Sequence, residues 1–447
     1  MRIVVVGAGK LGYSVAQLLA NDQYDVVVIE QDEKRREVVK NNLDVLTVGA
    51  NGASPMTMAE TFVKDADMLL ASTDSDEANM VICMLAKQNG VKHTVARIRN
   101  TDYTQLSDDF LKDNMKIDMI LNPEQITAKE INRILMTPAA LNVEDFADGR
   151  VRMFEVKMRS TSKMIDVPLS DLDIPKQILV AMIFRNNRMI IPHGDDVMKD
   201  NDNVFFVGRK DVINEFEGRF ATTHSKAERV IIIGAGRTGR FLAPLLEQQG
   251  LFVKIIDKNR ERCQMVAQKL KNGIALNGDG TDIDLLVEEG IAETDVVVCV
   301  TEDDKLNLLL ALLAKHLGAE KTIVRVARNE YVELMEKVGV DIVLSSRLLS
   351  SGEVLRFIRR GGVVSVSLLE GAKAEAIELI VPKTSRIAGK TLREAKLPKE
   401  CLICTVVHKE EVFVPNGDTI LYPGDAIIIF VKAGSVKNVM PAFEGKE

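Results

Sequence analysis

Ile3-Val4-Val5-Val6-Gly7-Ala8-Gly9-Lys10-Leu11-Gly12 returns 227 residues later as Val230-Ile231-Ile232-Ile233-Gly234-Ala235-Gly236-Arg237-Thr238-Gly239. Each copy is a short β-branched run, three glycines at fixed spacing, and then a run with apolar residues on one face. Those residues are Leu11, Val15, Leu18 and Leu19 in the first copy and Leu242, Leu245 and Leu246 in the second. The order predicts a strand, a tight turn and a helix. The first glycine permits the turn, the second lets a pyrophosphate approach the backbone, and the third lets the helix pack close to the strand. The helix N-terminus then offers free N–H groups and about half a positive charge to phosphates.

An acid stands 18 residues past the third glycine in both copies, Glu30 after Ile29 and Asp257 after Ile256. A carboxylate at the end of a second strand accepts hydrogen bonds from ribose hydroxyls and repels a 2′-phosphate. NAD or another adenine nucleotide is therefore favoured over NADP. Lys10 and Arg237 lie inside the loops, either to meet a terminal phosphate, as ATP or ADP would present, or as exposed charges at a helix start. Thr73 and Thr301 end the fourth strand. They open the capping-box patterns Thr73-x-x-Asp76 and Thr301-x-x-Asp304, and the same position puts them, with Asp74 and Glu302, beside the ligand crevice. Arg97 and Arg325 end the fifth strand and reach toward phosphates, unless they are surface arginines. Asp279, in Gly278-Asp279-Gly280, is placed to accept from an adenine amino group. The first copy has Ala50-Asn51 there, so the two sites can differ in the nucleotide they take.

The repetition extends beyond the loops. Asp67–Thr73 returns as Asp295–Thr301, Arg97 as Arg325, Tyr103 as Tyr331, and Pro192-His193-Gly194-Asp195 as Pro415-Asn416-Gly417-Asp418. One unit of about 220 residues is present twice, too long for a solenoid repeat. In its first part, candidate strands at 2–6, 25–29, 44–47, 67–72, 93–97 and 117–121 alternate with helical stretches. That predicts two tandem α/β, Rossmann-like, doubly wound parallel sheets. The second part reads as a small α+β module of short strands and Pro/Gly/Asp turns. The expected parts are 1–121, 140–220, 229–345 and 362–447. Helices at Pro123–Met136 and Arg347–Arg359 connect them, the first opened by Asn122 as N-cap with Pro123 in the first turn, the second stopped by Gly361-Gly362. Their apolar residues, Ile126, Ile131, Ile134 and Leu135 in one and Leu348, Leu349, Leu355 and Ile358 in the other, require burial, within their own unit or against another copy. Ala221–Lys226 reads as the exposed centre of the link between units.

Composition narrows the function. The chain has 447 residues and a net charge of −7, with 4% aromatics and no Trp. That balance speaks against a nonspecific nucleic-acid binder and an aromatic platform for single strands. No run of 18 apolar residues is present, and the N-terminus reads as an opening strand rather than a signal peptide, so the expected compartment is the cytosol. Cys401-x-x-Cys404 falls on a strand, where positions i and i+3 face opposite sides, and reads as core packing. The scattered histidines show no metal spacing, and His193 reads as a turn residue. No nucleophile–base pattern appears. A nucleotide sensor is favoured over the alternative, an NAD-dependent oxidoreductase with the small modules as substrate domains.

The order of glycine loop, acid, Gly-Asp turn, Asp67…Thr73-x-x-Asp76-x-x-Asn79, Asp295…Thr301-x-x-Asp304-x-x-Asn307 and a small module with Pro-x-Gly-Asp resembles the RCK (regulator of conductance of potassium) domains. The tandem duplication is similar to the TrkA family of Trk potassium-uptake subunits, over nearly the whole chain. The resemblance implies a non-enzymatic cytosolic gating ring, a homotetramer built from dimers, seated on a membrane-embedded channel subunit. It implies binding of NAD(H) and ATP or ADP to control potassium flux. Ala50-Asn51 and Lys10 depart from the second copy's pattern and put adenine and terminal-phosphate contacts of the first site in question.

Overall fold

The computed structural model describes residues 1–104, 108–136, 142–186, 188–220, 227–358, 363–369, 374–398, 400–432 and 434–443. The chain forms two compact units, Met1–Thr127 with Ala327–Asn329 and Ser345–Ile358, and Ala128–Val326 with Glu330–Leu344 and Arg359–Glu447. The expected link centre Ala221–Lys226 and helix stop Gly361-Gly362 lie outside the described residues.

In the first unit β1 (Arg2–Val6), β2 (Asp25–Ile29), β3 (Leu46–Val48), β4 (Met68–Ala71), β5 (His93–Arg97) and β6 (Met119–Leu121) form a sheet ordered β3-β2-β1-β4-β5-β6. Every pairing in it is parallel. The β1 residues Ile3, Val4 and Val5 are fully buried, as a strand covered on both faces must be. The chain turns one way after β1 and the other way at β4. That reversal opens a crevice at the carboxyl ends of β1 and β4, where doubly wound sheets bind ligands.

The second unit holds three sheets. β7 (Asn142–Phe146), β8 (Val151–Lys157), β9 (Ile178–Arg185), β10 (Arg188–Ile190) and β11 (Asn203–Arg209) run β10-β9-β11-β8-β7, with antiparallel pairs throughout. β12 (Arg229–Ile233), β13 (Phe252–Asp257), β14 (Ile274–Asn277), β15 (Val296–Cys299), β16 (Lys321–Val326) and β17 (Ile342–Ser345) repeat the Rossmann order as β14-β13-β12-β15-β16-β17. β18 (Val363–Leu369), β19 (Ala374–Ile380), β20 (Cys401–His408), β21 (Glu411–Phe413) and β22 (Ala426–Lys432) run β18-β19-β22-β20-β21, the topology of the first small sheet again. The two small sheets share a core in which Phe146, Met153, Met182 and Phe205 meet Cys404, Ile428 and Phe430. Phe206, one residue from Phe205, faces the other way, and its ring stacks on Phe154 at 5.0 Å. Cys404 and Cys401 divide likewise between two cores, so the Cys-x-x-Cys spacing is packing. His193 sits exposed in a turn beside Asp196.

The connecting helices correct two expectations. Asn122 does cap Pro123–Leu135, its Oδ1 accepting from the Gln125 N–H at 3.0 Å. That helix, however, buries Ile131, Ile134 and Leu135 in neither its own repeat nor another copy. They join the core of the second Rossmann sheet, with Leu242, Ala243 and Leu246 of the glycine-loop helix Arg237–Gln248. Ser346–Ile358, in turn, belongs to the first unit and packs on the first glycine-loop helix, Lys10–Asn21. Its buried face is Ser346, Ser350, Ser351, Val354, Leu355 and Phe357, whereas Leu348, Leu349 and Ile358 are only half-buried. Small side chains occupy the inner face because the two helices approach closely, with Ser14 Oγ 3.5 Å from Ser351 Oγ. Phe357 stacks edge-on against His93 at 5.8 Å. Among the described residues no helix is long and apolar enough to cross a membrane.

Candidate functional site

Each Rossmann sheet ends in a cleft, and the sequence builds the two alike. Gly7 and Gly234 adopt φ of 93° and 115°, a left-handed backbone that favours glycine, and lie against the backbone of Thr73 and Thr301. A Cβ on Gly12 would stand 1.9 Å from the Gly7 carbonyl oxygen, and one on Gly239 2.0 Å from that of Gly234. The third glycine is therefore fixed by packing. A Cβ on Gly9 or Gly236 would meet nothing within 4 Å; it would enter open space above the loop. That open space is what a pyrophosphate approaching the helix N-terminus requires. A later glycine performs a matching service. Gly52 and Gly280 let the loop after the third strand lie on Val6 and Ile233.

The acids organise the loops before any ligand arrives. Glu30 Oε2 accepts from the Ala8 N–H at 2.7 Å and Oε1 from the Asp32 N–H at 2.9 Å. Asp257 does the same with the N–H groups of Ala235, at 2.7 Å, and Asn259, at 2.8 Å. Each carboxylate oxygen keeps a lone pair beyond these bonds, enough to accept from a ribose hydroxyl.

The first cleft, about 290 Å³, is lined by Gly7, Gly9, Glu30, Asn51, Thr73 and Asp74 of the expected set. The second, about 320 Å³, is lined by Gly234, Asp257, Asp279 and Thr301. Ala8 and Ala235 serve through their N–H groups. Leu11, Gly12, Thr238 and Gly239 are buried in the first turns of their helices. Lys10 and Arg237 stand exposed at the helix starts, outside the cleft linings. Glu302 sits 3.8 Å from Arg262. Arg97 and Arg325 are not lining residues; their Nη1 groups reach the carbonyls of Thr73 and Thr301 at 3.4 and 3.3 Å, behind the crevice. Burial, followed by the neighbouring Arg99, lowers the Arg97 pKa from its ordinary value.

The threonines do not cap. Ser75 is the N-cap of helix Asp76–Gln88 and Asp303 that of Asp304–His316. Thr73 and Thr301 instead bind Asn79 and Asn307. Asn79 Oδ1 accepts from the Thr73 N–H and hydroxyl at 2.9 and 2.7 Å, and its amide donates to the Arg97 carbonyl at 2.8 Å. Asn307 repeats every bond with Thr301 and Arg325. Both asparagines are fully buried, so they pin the loop after the fourth strand to the end of the fifth. Their spacing from each threonine is the same in both repeats, which was the available signal.

Sequence reasoning missed Arg35, Lys258 and Arg262. Arg35 lies 3.7 Å from Asp74, and Arg262 bridges Asp257 at 4.0 Å and Glu302. The two arginines share the repeat offset, so the duplication itself pointed to them. Lys258 pairs with Asp279 at 3.0 Å. Asp279 also accepts from the Thr281 N–H and hydroxyl, at 2.9 and 2.8 Å, and the Thr281 N–H, then Lys258, holds its carboxyl below the usual range. Asn51 makes the equivalent turn, accepting from the Ala53 N–H at 2.9 Å, without a charge. Among the described residues no cluster of His, Cys, Asp and Glu fits a metal.

Comparison with known proteins bears on these clefts. The TrkA-N domain family matches residues 3–123 and 230–346, and the TrkA-C domain family matches residues 153–221 and 376–444. A Trk system potassium uptake protein TrkA homolog of Methanosarcina mazei is 39% identical over 99% of this chain and 100% of its own. The Trk system potassium uptake protein TrkA of Halomonas elongata is 34% identical over 96% of each chain. The solved structure of a GsuK channel bound to NAD, 17% identical, superposes with a TM-score of 0.63 over 99% of this chain and 78% of that one, a likeness of fold.

Proposed function

The chain belongs to the TrkA family of Trk potassium-uptake proteins, and from that premise we propose that it is a nucleotide-sensing regulatory subunit of a Trk-type system. The single observation that carries the sensing role is the pair of preorganised clefts. Each has an open glycine loop and a buried or nearly buried carboxylate already holding that loop. In this reading Gly7–Gly12 and Gly234–Gly239 bind pyrophosphate, Glu30 and Asp257 bind ribose, Asn51 and Asp279 meet the adenine edge, and Arg97 and Arg325 position the threonine loops. Lys10 and Arg237 meet terminal phosphates at the rim, with Asp74 and Glu302 orienting Arg35 and Arg262.

NAD(H) and ATP or ADP are the proposed ligands, since a carboxylate at the ribose position opposes a 2′-phosphate. The GsuK channel's bound NAD is consistent with this. The protein acts without turnover. Its ligands bias the arrangement of a cytoplasmic ring, four copies built from dimers, attached to a membrane-embedded Trk-type channel subunit. Exposed apolar residues at matching places in both repeats, Val81 with Leu309 and Phe110 with Val338, favour self-association. A sensor of this kind requires only that a ligand prefer one of two states.

The test is copurification of the intact chain with a Trk-type membrane subunit in detergent, paired with calorimetry against NADH, NADPH, ATP and ADP. Complex formation and binding of the ligands without a 2′-phosphate support the reading. Failure to bind any adenine nucleotide refutes it.

A further inference from the structure

The two clefts are alike in backbone and unlike in charge. At matched positions of the repeat, Tyr13 of the first site is Arg240 in the second, Gln31 is Lys258, and Asp32 is the neutral Asn259. Asn51 becomes Asp279 in the other direction. Across these positions the second site gains two positive charges relative to the first. Asp279 is already bound to Thr281 and Lys258, so the uncompensated gain falls near the helix start. There Arg240 lies between the glycine-loop helix and helix Arg260–Ala267, its Nη1 3.3 Å from Met265 Sδ. Arg237 and Arg262 are its charged neighbours. Burial, then those two like charges, pushes its pKa down from the ordinary arginine value. Arg240 lies one helical turn from Arg237 and touches Met265, one turn from Arg262 on its helix, so the three guanidinium groups gather on one side of the cleft, with Asp257 and Glu302 facing Arg262. An anion with several charged oxygens offers partners to guanidinium groups gathered in this way.

Resting on the nucleotide-sensing reading above, we infer that the two sites divide the ligands. The second cleft, through Arg237, Arg240 and Arg262, is the reader of phosphate number and selects an adenosine polyphosphate with a free terminal phosphate. The first cleft keeps cations at two of those places, Lys10 and Arg35, but has Tyr13 where the second has Arg240; it takes a dinucleotide and is indifferent to phosphate number. ATP carries one more phosphate than ADP. A dinucleotide has none free, because its pyrophosphate is esterified at both ends.

The experiment isolates each site in the full-length chain. A Cβ at Gly9 or Gly236 meets nothing beyond its chain neighbours within 4 Å, so Gly9→Val and Gly236→Val direct their bulk into the phosphate space. Circular dichroism of each variant checks the fold. Calorimetry of the Gly9→Val chain reports the second site, and that of Gly236→Val the first. The second site should bind ATP about tenfold or more tighter than ADP, the size of an added charge-assisted contact, and the first should bind them within about twofold. Adding Arg240→Tyr to the Gly9→Val chain should bring the ATP-to-ADP ratio to within about threefold, by weakening ATP more than ADP. Equal ratios at the two sites, or equal weakening of ATP and ADP by Arg240→Tyr, overturns the division of labour. Tighter NADPH than NADH binding at the second site overturns it too, by moving the cluster to the ribose end. Absence of adenine-nucleotide binding in the wild-type chain would instead defeat the underlying nucleotide reading.

Discussion

Replacing Asp257 with Asn tests whether the acid works as a charged double acceptor. The side chain is 12% exposed, and each oxygen accepts one backbone N–H, from Ala235 and from Asn259. An amide has one oxygen and one NH2, so it can satisfy only one of them. The bond to Asn259 lies toward solvent, so the oxygen should turn to Ala235 and leave the Asn259 N–H to water. The loss is then one charge-assisted bond plus a charged ribose acceptor, about 1.5–2 kcal/mol rather than the full penalty of a buried orphan. In binding this is about 10- to 30-fold at one of two sites. In the free protein only the bond to the Asn259 N–H is lost, so Tm falls by less than the binding loss alone would imply. Calorimetric titration with ADP, which both clefts accept, should show one class of sites weakened and the other unchanged, and Glu30→Gln should produce the complementary result. Two unchanged classes in Asp257→Asn would refute the role of the carboxylate, and loss of both would mean the substitution acts through the fold.

Three further outcomes are expected. Gly12→Ala puts a methyl 1.9 Å from a backbone carbonyl, so the glycine-loop helix must shift; the first site should be lost at a cost of about 1–3 kcal/mol, read by denaturant melts, with second-site binding retained. Asp279 is held below its ordinary value of 3.8 by the Thr281 N–H and then Lys258, so its contribution to stability is present above that pH and lost as pH falls through the lower folded value. Melting temperatures of wild type and Asp279→Asn should accordingly differ at pH 6 and converge as the pH falls well below 3.8. Burial pushes the Cys401 thiol up to about 12 and Cys404 higher still, so a thiol reagent at pH 8 should leave both unmodified until the protein is unfolded, as mass spectrometry would show.

The glycine loops and acids were legible in the sequence because each residue there does local work. Gly7 turns, Gly12 packs on the residue it follows in space, and Glu30 binds the loop beside it. Doubly wound parallel sheets followed from alternation, and the duplication let one reading check the other. What the sequence concealed was tertiary. The pattern of Ile131, Ile134 and Leu135 announces a buried face, yet nothing local says that its cover is the other repeat's glycine-loop helix. In Ser346–Ile358 the leucines suggested the inner face, whereas close approach to another helix selects Ser350 and Ser351. Asn79 and Asn307 act across the sheet, so their role emerges only when the fifth strand is placed beside them. Arg35 and Arg262 lie on polar helical stretches that read as solvated surface until the cleft is built.

In the proposed role, nucleotide occupancy of these clefts sets potassium movement. The most direct test of that role is the intact chain reconstituted with a Trk-type membrane subunit in liposomes, with potassium flux measured under NADH, NAD, ATP and ADP in turn. A coupling of about 1–3 kcal/mol predicts flux differing roughly 5- to 150-fold between the strongest and weakest nucleotide. Arg237→Ala should narrow the ATP–ADP difference while NADH still binds. Flux that is the same with every nucleotide, in a preparation shown to bind them, would contradict the claim.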